Sequence, residues 1–522
     1  MSPHGWQLPP PDDDRPTILA HARALAALHG PGPWPDGGDP LPDRRPGPAP
    51  LISDTVMDGI RTQHMLPGAG PAPTALPDLL EHALRVPPSA QEFRRLRDAA
   101  TAQPRHPADA LVHQLQGREL PTDRLRAVAV RLAAHGTRRQ EVATGIVLLG
   151  ICGDRRDREL LLLLGTLEEL TLVAAGALHR NGPDPDRAVY ELARRVEGWG
   201  RIHAVHHLRG TTDAEIRDWL LRGGYRNTVM DEYLAHLAAT TGDLRAALAP
   251  DTVDEALLAG AGGILLALCA GGPSADITHY DDGPYVIDRY LVHAGNHPPD
   301  LGRIGVVGTL RRFVAGDTVR PGSGPRADAM AWSAAERARL GAVCDALTAR
   351  TDWRDHVHRA LHSDDPDRFR RAIWAAEELR VPLDELLRVH LRRDPYDSAL
   401  WFSLVDGTAD VDGMLAFAAE ILPLADLATG PTLDVGLGGG RPEHVLDIVV
   451  SRLDQYPGKG WPLIEAALAN ATIRNRNMAV RALDAWPAPT AAAVAALDAA
   501  ARVEPDRGIR GRMRALLRKW RT

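Results

Sequence analysis

Cysteine is scarce in this chain. The three present, Cys152, Cys269 and Cys344, lie far apart, in or beside apolar helical runs. That fits neither a disulfide framework nor a zinc-ligand spacing, and it predicts buried structural thiols. Long hydrophobic runs are missing too. The longest, such as 160–164 and 263–270, fall far short of the ~20 residues a membrane helix needs, so no membrane span is expected. No basic start precedes an apolar stretch as in a secretory signal, and a reducing cytoplasm is the expected compartment. Strand signals are nearly absent: there is no sustained alternation and no Asn-Gly or Asp-Gly hairpin between alternating segments. A strong charge of one sign is lacking as well. The formal net charge of −7 argues against a chain-wide nucleic-acid surface, because phosphate neutralisation needs a basic field. Aromatics are few, yet 11 of them are Trp, and many fall at helix ends or on helical stripes, where packing explains them. A Ser-His-Asp elbow, a P-loop and a CxxC pair are also missing.

What remains is helix. The clearest stretch is 461–486, WPLIEAALANATIRNRNMAVRALDAW. Leu463, Ile464, Ala467 and Leu468 form one stripe, and Ala479, Ala482, Leu483 and Trp486 recur at i, i+3, i+4, i+7. Pro462 suits a first helical turn, 469–472 makes the turn between the two helices, and Thr472 is the expected N-cap. Asn475 shares the second stripe and is expected to hydrogen-bond a neighbouring turn. Arg474 and Arg476 are expected to be solvated or paired with the next repeat. A second hairpin at 353–379 places Trp353, Val357, Ala360 and Leu361 on one stripe and Phe369, Ala372, Ile373, Ala376 and Leu379 on the next. The two superpose at an offset of 107 residues, which three periods of ~36 would fill. A hairpin cannot bury both its faces alone and must stack on like neighbours.

Composition divides the rest. Residues 1–75 are Pro/Gly-rich, with 17 of the chain's 42 prolines in the first 80 positions. One helix is expected from Thr17 to about His29, opened by Asp14 and Pro16 and closed by Gly30; the remainder is expected to be poorly structured, a loose or surface-hugging segment. Residues 76–314 form a first helical-repeat segment. It includes a helix opened by Ser89, another opened at 121–122, a nearly all-apolar one at 138–151, and one begun by Thr212 with Glu215 at the capping-box position. A Pro/Gly/Arg loop at 315–330 is the expected break, and 331–522 form a second segment ending in a basic cap. The fold class is therefore all-α, an α-solenoid of HEAT/armadillo-like hairpins.

Three places could carry chemistry. LDVGLGGG at 433–440 resembles the nucleotide-cradling loop of class I methyltransferases, but no buried strand precedes it and no alternating fold follows, so an inter-repeat loop is expected. In WGRIHAVHHLR, His203 and His207 stand at i, i+4, a spacing able to chelate a metal. A third ligand would have to come from elsewhere, with His279, Asp281 and Asp282 of THYDDG as candidates and His293 and His297 beyond. Solvated or hydrogen-bonded histidines are the competing reading. In GYRNTVMDE, Asn227 or Thr228 would cap a following helix, and Tyr225 and Arg226 at the mouth of the loop could contact a ligand.

From about Trp199 onward, EIRDWLLRGGYRNTVMDEYLA, LLAGAGGILLAL, ILPLADLATGP and IRNRNMAVRAL together resemble a bacterial family of HEAT-like helical-repeat proteins, some of whose members are named "limonene hydroxylase". The resemblance implies a fold. The name implies a terpene oxygenase, for which these residues supply no haem-thiolate loop, flavin fingerprint or iron triad. The expected function is a scaffold or adaptor without a cofactor, binding a protein or peptide through Arg201, His203, Tyr225, Arg226, Asp281 and Asp282 along inner helices and loops. The alternatives are a metal-dependent enzyme using His203, His207 and Asp281, and a helical repeat that binds nucleic acid through a basic groove.

Overall fold

The computed structural model describes residues 6–44, 53–64, 75–102, 108–115, 117–319, 324–436 and 441–521. Among these residues the regular structure is helical and no strand forms; one isolated bridge joins Asp434 to Thr472. No described helix is long and apolar enough to cross a membrane. The chain divides into two compact units, Met1–Arg350 and Thr351–Thr522.

In the second unit the hairpin at 461–486 forms as Trp461–Leu468 and Ile473–Asp484, with Pro462 in the first turn and Thr472 as N-cap. Its two stripes are buried, and the Trp461 and Trp486 rings meet edge to face at 6.1 Å. Thr351–Ala360 and Pro366–Glu378 make the second hairpin and bury Trp353, Val357, Phe369 and Ile373. Between the hairpins lie five helices of 4 to 11 residues, which is not a regular repeat of one hairpin. Ser398–Gly407 packs on Pro442–Val450, which packs on Ile473–Asp484, which packs on Arg507–Lys519. Trp461–Leu468 touches both Leu424–Leu427 and Ala491–Val503.

A buried ion pair ties these helices together. Arg476 is fully buried and pairs in bidentate fashion with Glu504, Nε to Oε2 at 2.6 Å and Nη2 to Oε1 at 2.8 Å. Its other donors reach the carbonyls of Asn470 (3.0 Å), Ala471 (2.6 Å) and Thr432 (2.8 Å). All five guanidinium N–H groups are thus accounted for. Asn475 Nδ2 donates to Glu443 O at 2.8 Å, the neighbouring-turn bond expected of it. The start of the glycine-rich stretch is fixed by the same hairpin: Thr432 N donates to Ala471 O, and Ile473 N to Asp434 O. It follows an isolated bridge, not a sheet strand, and residues 437–440 lie outside the described residues.

In the first unit Ala90–Thr101, Arg139–Cys152, Glu168–Arg180 and Gly198–His206 pack each on the one before, as do Glu255–Ala270, Leu301–Ala315 and Ala334–Thr348. Arg139–Cys152 is buried almost all round, as its apolar sequence requires. A Cβ on Gly145 would lie 2.6 Å from Ala133 N, so this crossing needs glycine. Asp213, not Thr212, caps Ala214–Trp219, accepting from Glu215 N and Ile216 N. All three cysteines are free and buried, and burial pushes the Cys152 and Cys344 thiols up to about 12. Of the 61 basic Lys and Arg residues only Lys459 and Lys519 are lysine. Arginines bridge one helix to another repeatedly: Arg97 to Glu141, Arg126 to Asp157, Arg222 to Asp254, Arg303 to Glu255. A planar guanidinium fork suits such paired contacts better than an ammonium does.

Of the two forms expected for the N-terminal segment, loose or surface-hugging, its described residues take the second. The helix forms as Ile18–His29 with Thr17 as N-cap, and it packs on Thr122–His135 and Arg158–Gly165. The described residues around it are not loose. Trp6 Nε1 donates to Ala83 O at 2.9 Å, Thr137 Oγ1 to Asp13 at 2.7 Å and Arg97 Nη1 to Asp12 at 2.9 Å. Trp34 and Leu41 are buried, and Asp43 binds Arg139. The glycines and prolines here set bends between anchors; residues 45–52 and 65–74 lie outside the described set. The loop at 315–330 differs from the break expected there: Gly324 and Pro325 lie against the end of Glu255–Ala270, and the units divide at Arg350.

Arg476→Ala should destabilise the second unit by about 3–5 kcal/mol, because Glu504 would stay buried and uncompensated. Arg476→Met combined with Glu504→Leu should recover most of that loss. Hydrogen exchange of the Ile473–Asp484 amides in the full chain checks both; equal losses in the two variants would refute the role of the pair.

Candidate binding cleft

Glu168 begins the Glu168–Arg180 helix, and its side chain reaches the start of Gly198–His206. There Oε1 accepts from Trp199 N at 2.9 Å and from Gly200 N at 3.4 Å. The first N–H groups of a helix have no partner within it, and an acceptor from elsewhere can satisfy them. Glu197, at the cap position itself, makes no side-chain cap bond. Gly198 is required at this approach. Its φ is +56°, and a Cβ would stand 2.6 Å from Glu168 Oε1. Burial raises the Glu168 carboxyl above the ordinary carboxylate range, opposed by the two amide bonds.

Around this junction lies a cleft of about 490 Å³, lined by residues 33–37, Thr166, Glu168, residues 195–198 and Thr228. Asp36, Glu168 and Glu197 bring three carboxylates. The one guanidinium, Arg195, is ion-paired with Glu191. Trp34, Pro33 and Pro35 add apolar rings from the N-terminal segment. Carboxylates beside indole and proline surfaces can hold a cationic or hydrogen-bond-donating side chain of a peptide.

The residues expected to bind are only partly brought together. Arg201 sits one turn into Gly198–His206. It donates from Nε to Val196 O at 2.8 Å and from Nη1 to Arg226 O at 3.3 Å, and its guanidinium lies 5.9 Å from the centre of the Trp219 ring. Burial lowers its pKa. Arg226 is exposed at the loop mouth, next to the cleft residue Thr228.

Tyr225 is a correction. It is fully buried, its hydroxyl donates to Gly260 O at 3.1 Å, and burial pushes it up to about 12. A Cβ on Gly263 would overlap this hydroxyl. The small residues of GAGG therefore make room for a core tyrosine. His203 is also buried, stacked on Trp199 at 6.2 Å, and the His207 ring lies 5.1 Å from that of His179. Asp281 is exposed and Asp282 pairs with Arg245 at 2.5 Å, at the start of Gly283–Asn296. Among the described residues no group of three or more His, Cys, Asp or Glu is placed to hold a metal ion. The set His203, His207 and Asp281 is therefore not assembled. Asn227 caps a local turn, accepting from Val229 N and Met230 N.

Sequence reasoning missed Glu168, Glu197, Gly198 and residues 33–37. The one available signal was PWPDGG, a Trp held between two prolines. The chain matches no known family model and no curated protein sequence.

Gly198→Ala should destabilise the first unit by about 1–3 kcal/mol through its left-handed backbone and the overlap with Glu168. The cost should be smaller in a Glu168→Ala background, and chemical denaturation of the two single variants and the double measures the coupling. Simple additivity would show that the contact does not matter.

Glu168 also sets a pH dependence. Its folded pKa lies above the unfolded value of 4.5, so the folded state holds the proton longer. The stability it contributes at low pH is lost as pH rises from there through the folded value. Glu168→Gln should flatten that part of the first unit's stability profile, read by thermal melts across pH.

Proposed function

We propose that the chain is a non-enzymatic α-solenoid of HEAT-like hairpins, a scaffold or adaptor that binds a protein or peptide segment. The observation that carries the reading is the open acidic cleft at the Gly198 junction. There a proline-flanked Trp and three carboxylates converge on the end of a helix pair. Helices that pack on their predecessors, unit by unit, support the solenoid reading. Three buried free thiols fit a reducing cytoplasm. The preferred ligand at this cleft is a peptide with a Lys or Arg beside an apolar residue, the cation meeting Asp36 and Glu197 and the apolar group meeting the proline rings.

The test is a peptide-display selection on the immobilised full chain, followed by anisotropy titrations of the enriched sequences. Enrichment of basic-apolar motifs is expected, with Asp36→Lys/Glu197→Lys weakening them about tenfold or more. Both residues are exposed, so the reversal should leave the fold intact. Peptides that bind equally to the heat-unfolded chain, or that ignore the double reversal, would overturn the cleft as a recognition site.

A further inference from the structure

A second and larger groove opens in the first unit where the N-terminal segment crosses the Thr122–His135 helix. It measures about 820 Å³, in the range of about 300–1,000 Å³ typical of ligand sites. Leu8, Leu19, Val130 and Leu160 give it apolar walls. Arg23, Arg126, Arg131, Arg156 and His135 stand around them, against one carboxylate, Asp157.

These arginines differ in what they are bound to. Arg126 is committed to Asp157, at 2.8 and 2.5 Å, and Arg156 to Asp154. Arg131 instead donates to a neutral carbonyl, Pro9 O, at 2.5 Å and stands 6.0 Å from the Phe93 ring centre. Arg23 is exposed on the Ile18–His29 helix. Neither Arg23 nor Arg131 has a carboxylate partner among the described residues. What sets these two apart from Arg126 and Arg156 is that they stand at the same groove with their charge unneutralised. The positive field is felt locally: besides burial, Arg131 and Arg23 push the pKa of His135 down.

We propose that this groove is a binding site for an acidic peptide segment, its carboxylates meeting Arg23 and Arg131 and its flanking apolar side chain seating against Leu8, Leu19, Val130 and Leu160. Two guanidinium charges without a carboxylate partner call for an anion, and a guanidinium fork matches a carboxylate in two parallel hydrogen bonds. The apolar walls decide between anions. A phosphate backbone has no apolar group to bury there, whereas an Asp or Glu beside a Leu or Phe removes apolar area from water at about 25 cal/mol per Å². The site is separate from the acidic cleft, shares no lining residue with it, and takes ligands of the opposite charge.

The experiment titrates the full chain with three fluorescent probes: a short peptide alternating Asp and Leu, the same peptide with Asn for Asp, and oligo(dT). Saturable binding of the Asp peptide is expected, about tenfold or more tighter than the Asn peptide. Hydrogen-exchange protection should fall on Leu19–Arg23 and on the Thr122–His135 helix. Arg23→Glu, at an exposed position, should weaken binding at least about fivefold, whereas Arg514→Glu in the second unit should not. Equal affinity for the Asp and Asn peptides, indifference to Arg23→Glu, or no binding of the Asp peptide would overturn the proposal. Arg23-dependent binding of oligo(dT) as tight as that of the Asp peptide would overturn it in favour of a nucleic-acid groove. Because these variants leave Asp36 and Glu197 untouched, failure here leaves the reading of the acidic cleft standing.

Discussion

The second unit depends on one guanidinium. Arg476 is taken wholly out of water, which is tolerable only because Glu504 neutralises it and three carbonyls use its remaining donors. Those acceptors come from three places: the extended stretch around Thr432, the turn of its own hairpin, and the end of the Ala491–Val503 helix. A point mismatch in the stacking would leave a buried charge unpaired, so the network selects a register as well as adding attraction. Hydrophobic stripes alone tolerate sliding by a turn; a five-bond guanidinium does not. The scarcity of lysine is consistent with this, since an ammonium has only three donors and no planar fork.

How much of this could be read from residues alone follows from the range of the forces. Helix stripes, caps and turns are local. The two hairpins, the Ser89 and Thr472 caps and the closure at Gly30 were accordingly legible, whereas Thr17 caps the helix expected to be opened by Asp14 and Pro16. So was Asn475 as a bond to the neighbouring turn, because its place on the stripe fixes where it points. Capping by Asp213 rather than Thr212 shows the limit: two adjacent side chains can both reach the same amides, and the backbone angle decides between them.

The binding residues were less legible, for a different reason. Tyr225 sits among turn-forming residues and reads as exposed, yet its neighbour in space is Gly260, thirty-five positions away. A glycine-rich helix leaves a hole for an aromatic ring, and nothing within the GYRNT stretch announces that hole. His203 and His207 have metal-chelating spacing, but spacing on one helix says nothing about a third ligand, and here the rings meet Trp199 and His179. Glu168 was invisible as a site residue because it acts on a helix some thirty residues later in the chain.

The N-terminal segment unites the two candidate sites. Its residues 33–37 wall the acidic cleft, and Trp6, Leu8, Leu19 and Arg23 wall the basic groove. Composition alone reads such a stretch as a tail, since Pro and Gly form neither helix nor sheet. Prolines also restrict the unfolded chain, so less conformational entropy is lost when the segment is laid down. The anchors are then few and specific: the Trp6 indole on Ala83 O, Asp12 and Asp13 on Arg97, Asp43 on Arg139. Arg15 holds the Asp13 carboxyl well below the usual carboxylate range, so this anchor stays charged at any physiological pH. The acids of the segment go to Arg97 and Arg139. The basic groove is thus built partly by the segment itself: Pro9 O holds Arg131 in place without neutralising it, and Leu8 and Leu19 supply apolar wall beside it.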